Sequence, residues 1–396
     1  MKAKSFVKVM QASLLAGVML VGLAACGKTE EPAAPAEPTV TEQPAATETT
    51  ETVAEPEPEP EPEPAAAQML EMDGTRSYLS GLEIGSELAN KRPAAVMYEN
   101  TEACLPHHNL DKAQIIYECP VEGGITRYMA IFDEWEDLYP VGNVRSCRTY
   151  YAVYATEYDG IYFHWGEAPF AKEFLTSGLV DDVDALSYTW NGKANHAAGA
   201  YFFRLGGTGE HTGYTSGENM KKAIAALGYR TEYNPDHEAH WNFAADGTKV
   251  TLDEGEDVQV IKLYYTYNSP YFIYNTEDGK YYRYQFGGKE CDGESGAQYA
   301  VDNIIFQNAP NDMYVDGNGA TKYLNFYLEG QGAGKYFTNG KMVDVMWRKD
   351  TQTGVTHFYN ADGTDLIINQ GKTWYCLIQT PYADSNTFYA TEADFH

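Results

Sequence analysis

The chain has 396 residues, of which 43% are hydrophobic and 14% aromatic, so it is long and apolar enough to bury at least one substantial core. Its 28 Lys and Arg against 57 Asp and Glu give a net charge of -29 at pH 7. A surface this acidic repels phosphate backbones, and we therefore expect no nucleic acid partner.

The first 25 residues have the pattern of a bacterial secretory signal. Three lysines precede an apolar run over residues 14–25, and this run is too short to span a ~30 Å hydrocarbon layer. The sequence Leu23-Ala-Ala-Cys26 resembles a lipobox, which predicts cleavage before Cys26 and acylation of its sulfur. We therefore expect acyl chains on Cys26 to hold the mature protein in the lipid bilayer, on the extracytoplasmic face of the cell membrane.

Residues 26–75 predict an acidic, disordered spacer. The stretch 28–67 contains eleven Glu and nine Pro without an aromatic residue, and it ends in the alternating Glu-Pro run 55–64. Such a segment has little to bury and favours an extended polyproline II conformation. The spacer is expected to hold the folded part away from the membrane.

Mixed strands and helices predict an α/β first domain over residues 76–240. Short apolar runs bounded by Gly, Pro or Asp indicate buried strands, and a Ser216 cap with a Gly228 stop indicates a helix between them. The strands are predicted at 92–98, 114–118, 126–132 and 160–165, and the helices at 149–157, 169–175 and 216–228.

Residues 241–396 predict a mainly antiparallel β second domain. Seven strand-like runs alternate with turn signals such as Asn339-Gly340 and Asp278-Gly279, which favour hairpins. The predicted strands are 258–265, 280–286, 301–307, 323–329, 342–347, 356–359 and 373–379. The fold class is therefore α+β, as a layered sandwich.

Five motifs stand out along the chain: Glu122-Gly-Gly-Ile-Thr-Arg127, Val144-Arg-Ser-Cys-Arg148, Tyr158-Asp-Gly-Ile-Tyr-Phe-His164, Tyr336-Phe-Thr-Asn-Gly-Lys341 and Gly371-Lys-Thr-Trp374. They make the chain similar to the YerB-like lipoproteins, a family of two adjoining domains of unknown function. The resemblance covers residues 92–380 and implies a bacterial lipoprotein with a layered α+β fold. It implies no reaction, and Cys147 replaces the small residue more usual in the family.

An arginine-rich stretch is the strongest candidate for a ligand site. Guanidinium groups pair bidentately with carboxylate or phosphate, so an anionic cell-wall ligand is one expected partner and an envelope protein is another. The alternative is that nearby glutamates pair internally with the arginines. The candidate residues are Arg127, Arg145, Arg148, His164, Glu118 and Glu122.

The function favoured by these features is a non-catalytic binding module of the cell envelope. The alternative is a cell-wall hydrolase or transferase with its site in the first domain. It would require Cys147, or Glu118 with Glu122, to meet His164 or an arginine, and no complete catalytic set is visible. Besides Cys26 there are five cysteines, so at most two disulfides form and one thiol remains.

No cofactor is expected, because no nucleotide-binding glycine motif occurs. His107-His108 and His237-Glu-Ala-His240 suggest a metal site, but neither spacing is diagnostic of one. The sequence therefore predicts no metal centre.

Overall fold

The computed structural model describes residues 65–315, 319 and 322–395. The predicted signal sequence, the predicted lipidation residue Cys26 and most of the predicted spacer lie outside these residues. Within the described part of the chain, no helix has the length and apolarity needed to cross a membrane.

A mixed sheet of eleven strands forms the centre of the described structure. The strands lie in the spatial order β6-β9-β8-β7-β11-β2-β3-β1-β4-β5, and β10 pairs with β9. Pairing is parallel between β7 and β11, β11 and β2, β1 and β4, and β4 and β5, and antiparallel elsewhere. In chain order the strands are β1 Ala94–Asn100, β2 Ile115–Pro120, β3 Thr126–Phe132, β4 Ile161–His164, β5 Asp182–Asp184, β6 Glu256–Asp257, β7 Asn303–Ala309, β8 Gly330–Thr338, β9 Lys341–Lys349, β10 His357–Asn360 and β11 Thr373–Gln379.

The central strands are covered on both faces. Every residue of β1, β2 and β3 is buried, which explains why these segments are apolar runs rather than alternating patterns. On one face, Tyr154 of a helix stacks on Tyr117, and Tyr117 in turn packs on Tyr375. The helices are α1 Ser86–Ala89, α2 Thr149–Thr156, α3 Lys172–Leu175 and α4 Gly217–Leu227.

A second, antiparallel sheet of six strands packs against the other face, where Phe272 lies 5.4 Å from Trp374 between ring centroids. Helix α4 buries Met220, Ala223 and Ile224 against the same face. The second sheet contains Val260–Lys262, Tyr271–Asn275, Lys280–Gln285, Gly288–Lys289, Ala300–Val301 and Thr387–Tyr389. The molecule is thus a layered α+β fold, as predicted.

Shorter pairings connect the remaining segments of the described chain. A hairpin of two five-residue strands extends beside α2, and the other pairings involve two or three residues each. These strands are Asn311–Val315 with Lys322–Phe326, Ala65–Ala66 with Thr248–Lys249, Asn242–Phe243 with Ile367–Ile368, Thr189–Trp190 with Lys193–Ala194, and Gly213–Thr215 between Phe203–Arg204 and Val141–Gly142.

The two predicted domains contribute strands to one sheet. Strand β2 of the first half pairs in parallel with β11 of the second, and residues 62–396 form one compact unit. The end of the predicted spacer also joins the fold, because Ala65–Ala66 pairs with Thr248–Lys249 and Leu70 N donates to Phe243 O at 2.7 Å.

Most predicted elements are confirmed. Strand β3 has the predicted bounds, and α4 is capped by Ser216, whose Oγ accepts from Asn219 N, and stopped by Gly228 at φ 71°. Strand β8 was not predicted because its glycines lower strand propensity. Packing requires two of these glycines, Gly332 and Gly334: a Cβ at Gly332 would lie 2.6 Å from Trp347 Nε1.

Candidate functional site

The structure brings Arg127, Arg145 and Arg148 together, and we call these three residues the arginine cluster. Arg127 is the second residue of β3, and its Nη1 donates to Ser146 O at 2.7 Å, in the segment that carries the other two arginines. Arg148 is the residue before the first turn of α2. The cluster lies beside the carboxyl ends of β1 and β2, an edge where open sheets commonly bind ligands.

Arg148 is held by Glu122. Its Nε donates to both carboxylate oxygens at 2.9 and 3.1 Å, and its Nη2 also contacts Oε2. Burial raises the pKa of Glu122, but the hydrogen bonds and charge of Arg148 outweigh this effect and lower it. Arg148 therefore pairs internally with a glutamate, which was the alternative to ligand binding.

Arg145 lies between two carboxylates. Its Nε is 2.9 Å from Glu99 Oε2, without the alignment of a hydrogen bond, and its Nη2 is 3.3 Å from Glu210 Oε2. Glu99 is buried, whereas 69% of the Glu210 side chain is exposed. An exposed partner of this kind exchanges readily with another anion.

Arg127 differs from its two neighbours because no carboxylate oxygen of the described residues lies within 4 Å of it. It is 6% exposed, and its Nε has no hydrogen-bond partner in that part of the chain. Burial, with the charges of Arg148 and Arg145, lowers the pKa of Arg127 to about 10, although the charges of Glu122 and Glu99 act in the opposite direction. The guanidinium is therefore still charged at neutral pH, as a buried cation that no described carboxylate contacts directly.

Glu118 does not belong to the arginine cluster. It is fully buried between the two sheets, where Arg283 Nη2 donates to its two oxygens at 2.8 and 2.7 Å and Trp374 Nε1 donates at 3.1 Å. Arg283 also lies 3.3 Å from Glu290, and the charge of Glu118 raises the pKa of Arg283 although burial acts against it. Arg283 was not among the predicted site residues; the signal for it was its inward position in the alternating strand Lys280–Gln285.

His164 does not contact the arginine cluster either. Its Nε2 is 3.2 Å from Asp182 Oδ2 and its Nδ1 is 2.9 Å from Gly166 O, with Asp184 at 3.7 Å. Burial would lower the pKa of this imidazole, but the charge of Asp184 and the hydrogen bond and charge of Asp182 raise it to about 9. His164 is therefore a buried cation with internal counter-ions, and it is not available to an anionic ligand.

The residues of the enzyme alternative do not converge. Cys147 is fully buried, its Sγ donates to Arg148 O at 3.2 Å, and burial raises the pKa of its thiol, which disfavours the nucleophilic thiolate. Glu118 and Glu122 pair with different arginines, and His164 pairs with aspartates. The five cysteines of the described chain are free thiols.

Each of the four histidines considered for metal binding contacts a protein group. His107 lies 3.4 Å from Glu290 and His108 lies 2.7 Å from Glu294, whereas His237 contacts the carbonyl of Glu157 and His240 its carboxylate. The described residues contain one group of at least three His, Cys, Asp or Glu side chains whose donor atoms lie close together. None of these four histidines belongs to that group.

An aromatic groove of about 400 Å³ opens next to Arg148, between α2 and the hairpin that follows β7. The Arg148 guanidinium carbon lies 5.5 Å from the ring centroid of Tyr323, and that ring packs on Phe170. Tyr314 and Tyr327 are partly exposed beside it. The groove is lined by Thr149, Tyr150, Val153, Phe170, Tyr314, Asn325, Phe326, Tyr327, Leu328, Glu329 and Gln352.

Comparisons with known proteins give one consistent set of relatives. Family models described as the N-terminal and C-terminal domains of a "Protein of unknown function (DUF3048)" match residues 79–230 and 258–375. "Putative lipoprotein YerB" of Bacillus subtilis (strain 168) is 29% identical over 305 residues, covering 76% of this chain and 85% of the relative. The crystal structure of the YerB protein from Bacillus subtilis matches with a TM-score of 0.65 and 27% identity, over 79% of this chain and 99% of that one.

Proposed function

This chain belongs to the family with paired DUF3048 domains, and we propose that it is a membrane-tethered, extracytoplasmic module that binds an anionic ligand of the cell envelope at the arginine cluster. The tether is supported by the lipobox that ends in Cys26 and by the lipoprotein name of the Bacillus subtilis relative. The ligand site is supported by the geometry of the cluster.

The state of Arg127 is the observation that carries the proposal. A buried charge costs several kcal/mol unless it is paired, and proteins rarely keep such a charge without a counter-ion. Arg127 keeps its charge although it has a single main-chain acceptor and two neighbouring arginines, while Glu122 and Glu99 act on it only from beyond contact distance. An incoming carboxylate or phosphate would supply the missing counter-ion and accept from the free guanidinium N–H groups.

The residues around the arginine cluster indicate which kind of molecule bears the anionic group. Glu210 is the exposed partner of Arg145, so a ligand can replace it with little loss. The aromatic groove beside Arg148 offers ring faces to an extended molecule. A wall polymer with sugar rings and acidic groups has both features, with either peptide-stem carboxylates or polymer phosphates as the anion.

Co-sedimentation of the detergent-solubilised mature protein with purified wall sacculi tests this function. We expect Arg127→Met to weaken binding by roughly 30-fold or more, because a buried charge contact is lost. Arg348→Met is the matched control, since Arg348 is a surface residue paired with Asp350 and should bind normally.

Sacculi stripped of phosphate polymers by hydrofluoric acid separate the two anion sources. Retained binding indicates stem carboxylates, and lost binding indicates polymer phosphates. Normal binding of Arg127→Met to both preparations would reject the site. The tether is tested separately: Cys26→Ala should leave the membrane fraction, and its retention there would reject acylation as the anchor.

A further inference from the structure

Three side chains with metal-binding atoms meet at the outer side of the arginine cluster. They are Glu99 near the end of β1, Cys104 in the following turn and His211 in the turn at residues 210–212. One donor atom of each lies within 4.8 Å of the other two. Glu99 and Cys104 are buried, whereas 36% of the His211 side chain is exposed, so the group is open to solvent on one side.

The donor set is specific in its chemistry. A thiolate, an imidazole and a carboxylate together suit Zn²⁺ and its transition-metal neighbours, which take four ligands at about 2.0 to 2.3 Å. Mg²⁺ and Ca²⁺ prefer oxygen ligands alone. Three protein ligands with an exposed side leave one position for water or another molecule.

One residue already orients two of the three donors. Thr101 Oγ1 donates to Glu99 Oε1 at 3.2 Å and lies 3.1 Å from Cys104 Sγ. The backbone N–H of Thr101 donates to the same sulfur at 3.3 Å, and the thiol donates to Thr101 O at 3.0 Å, so the position of the sulfur is fixed. Contacts of this kind around metal ligands fix their orientation.

The charges of the site suit a divalent cation. Arg145 opposes a cation, since it lies 2.9 Å from Glu99, but Glu210 lies against it at 3.3 Å. A metal ion that binds there displaces the proton of Cys104, and the thiolate, Glu99 and Glu210 then face the guanidinium of Arg145. A dication offsets this accumulation of negative charge.

We propose that Glu99, Cys104 and His211 form a binding site for a transition-metal dication of the Zn²⁺ class. The site borders the proposed anion site, because Arg145 contacts both Glu99 and Glu210, but its three ligands are different residues and it does not rest on the proposed function. The residues of this site are too far apart in the chain to form a recognisable spacing, so the sequence pointed to four other histidines instead.

Titration calorimetry of the metal-free, detergent-solubilised mature protein with Zn²⁺ tests the site. We expect one ion per chain, one proton released to the buffer, and no comparable heat with Mg²⁺. His211→Ala should weaken Zn²⁺ binding by at least about tenfold, and so should Cys104→Ala. Because His211 lies at the surface, its variant should fold even if the cysteine variant does not.

Two matched controls accompany these variants. His108→Ala removes a different histidine that also has a glutamate partner. Cys291→Ala removes a different thiol, which is partly exposed. Both should bind Zn²⁺ like the wild type. The proposal is overturned if the wild type binds no Zn²⁺, or if His211→Ala binds it as tightly as His108→Ala does.

Discussion

Raising the pH should lower the free energy of unfolding, because His164 then loses its proton. Its folded-state pKa of about 9 lies above the ordinary value of 6.5, so the folded protein holds the imidazole proton more tightly than the unfolded chain. The stabilisation of the folded state by the protonated imidazole is therefore fully present below about pH 6.5. The stabilisation is then lost as the pH rises through about 9.

The size of this effect follows from the two pKa values. At about 1.4 kcal/mol per pH unit, the difference between them corresponds to about 3 kcal/mol of unfolding free energy. Solvent screening is small, because His164, Asp182 and Asp184 are all fully buried. About 3 kcal/mol is a large part of the stability of an ordinary domain.

Urea unfolding of the wild type and His164→Gln, at several pH values from about 6 to about 9, measures this contribution. The difference between the two proteins should be largest near pH 6 and should shrink to less than about 1 kcal/mol at pH 9. His108→Gln controls for the loss of a histidine that is partly exposed beside Glu294. A difference that stays constant across this range would show that the protonation of His164 does not stabilise the fold.

Three further predictions concern residues of the first half of the chain. Arg148→Ala should lower the free energy of unfolding by about 3 kcal/mol, because it leaves the largely buried Glu122 without its cation; an unchanged urea midpoint would contradict this. Cys147 should resist alkylation in the native protein while the partly exposed Cys291 reacts, and peptide mass spectrometry showing equal labelling would be inconsistent with its burial. Gly217→Ala should destabilise the protein by about 1 kcal/mol or more, although alanine favours helices, because the new Cβ would meet the backbone of Trp135 and Glu136; a raised melting temperature would show that the contact relaxes.

Local patterns were sufficient to predict the elements around the site. Strand β3 and helices α2 and α4 are specified by apolar runs, caps and stop residues within short windows, and the structure has them within a residue or two. The arginine cluster was predictable for the same reason, since its three members lie within 22 positions of the chain.

The partners of these residues were not predictable, because sheet pairing selects them from distant segments. Glu118 meets Arg283, which is 165 residues away, only because the second sheet packs on β2. His211 reaches Glu99 across 112 residues through a loop whose path has no local signal. The continuous sheet across residue 240 escaped prediction as well, because the parallel pairing of β2 with β11 is a long-range contact.

The free energy of unfolding of Arg127→Met, relative to the wild type in ligand-free buffer, tests most directly whether Arg127 is held for an external anion. A cation without an internal counter-ion contributes little to the fold, so the variant should lie within about 1 kcal/mol of the wild type or be more stable. A loss of about 3 to 5 kcal/mol, the usual cost of breaking a buried pair, would show that the charge serves the fold and would contradict the account.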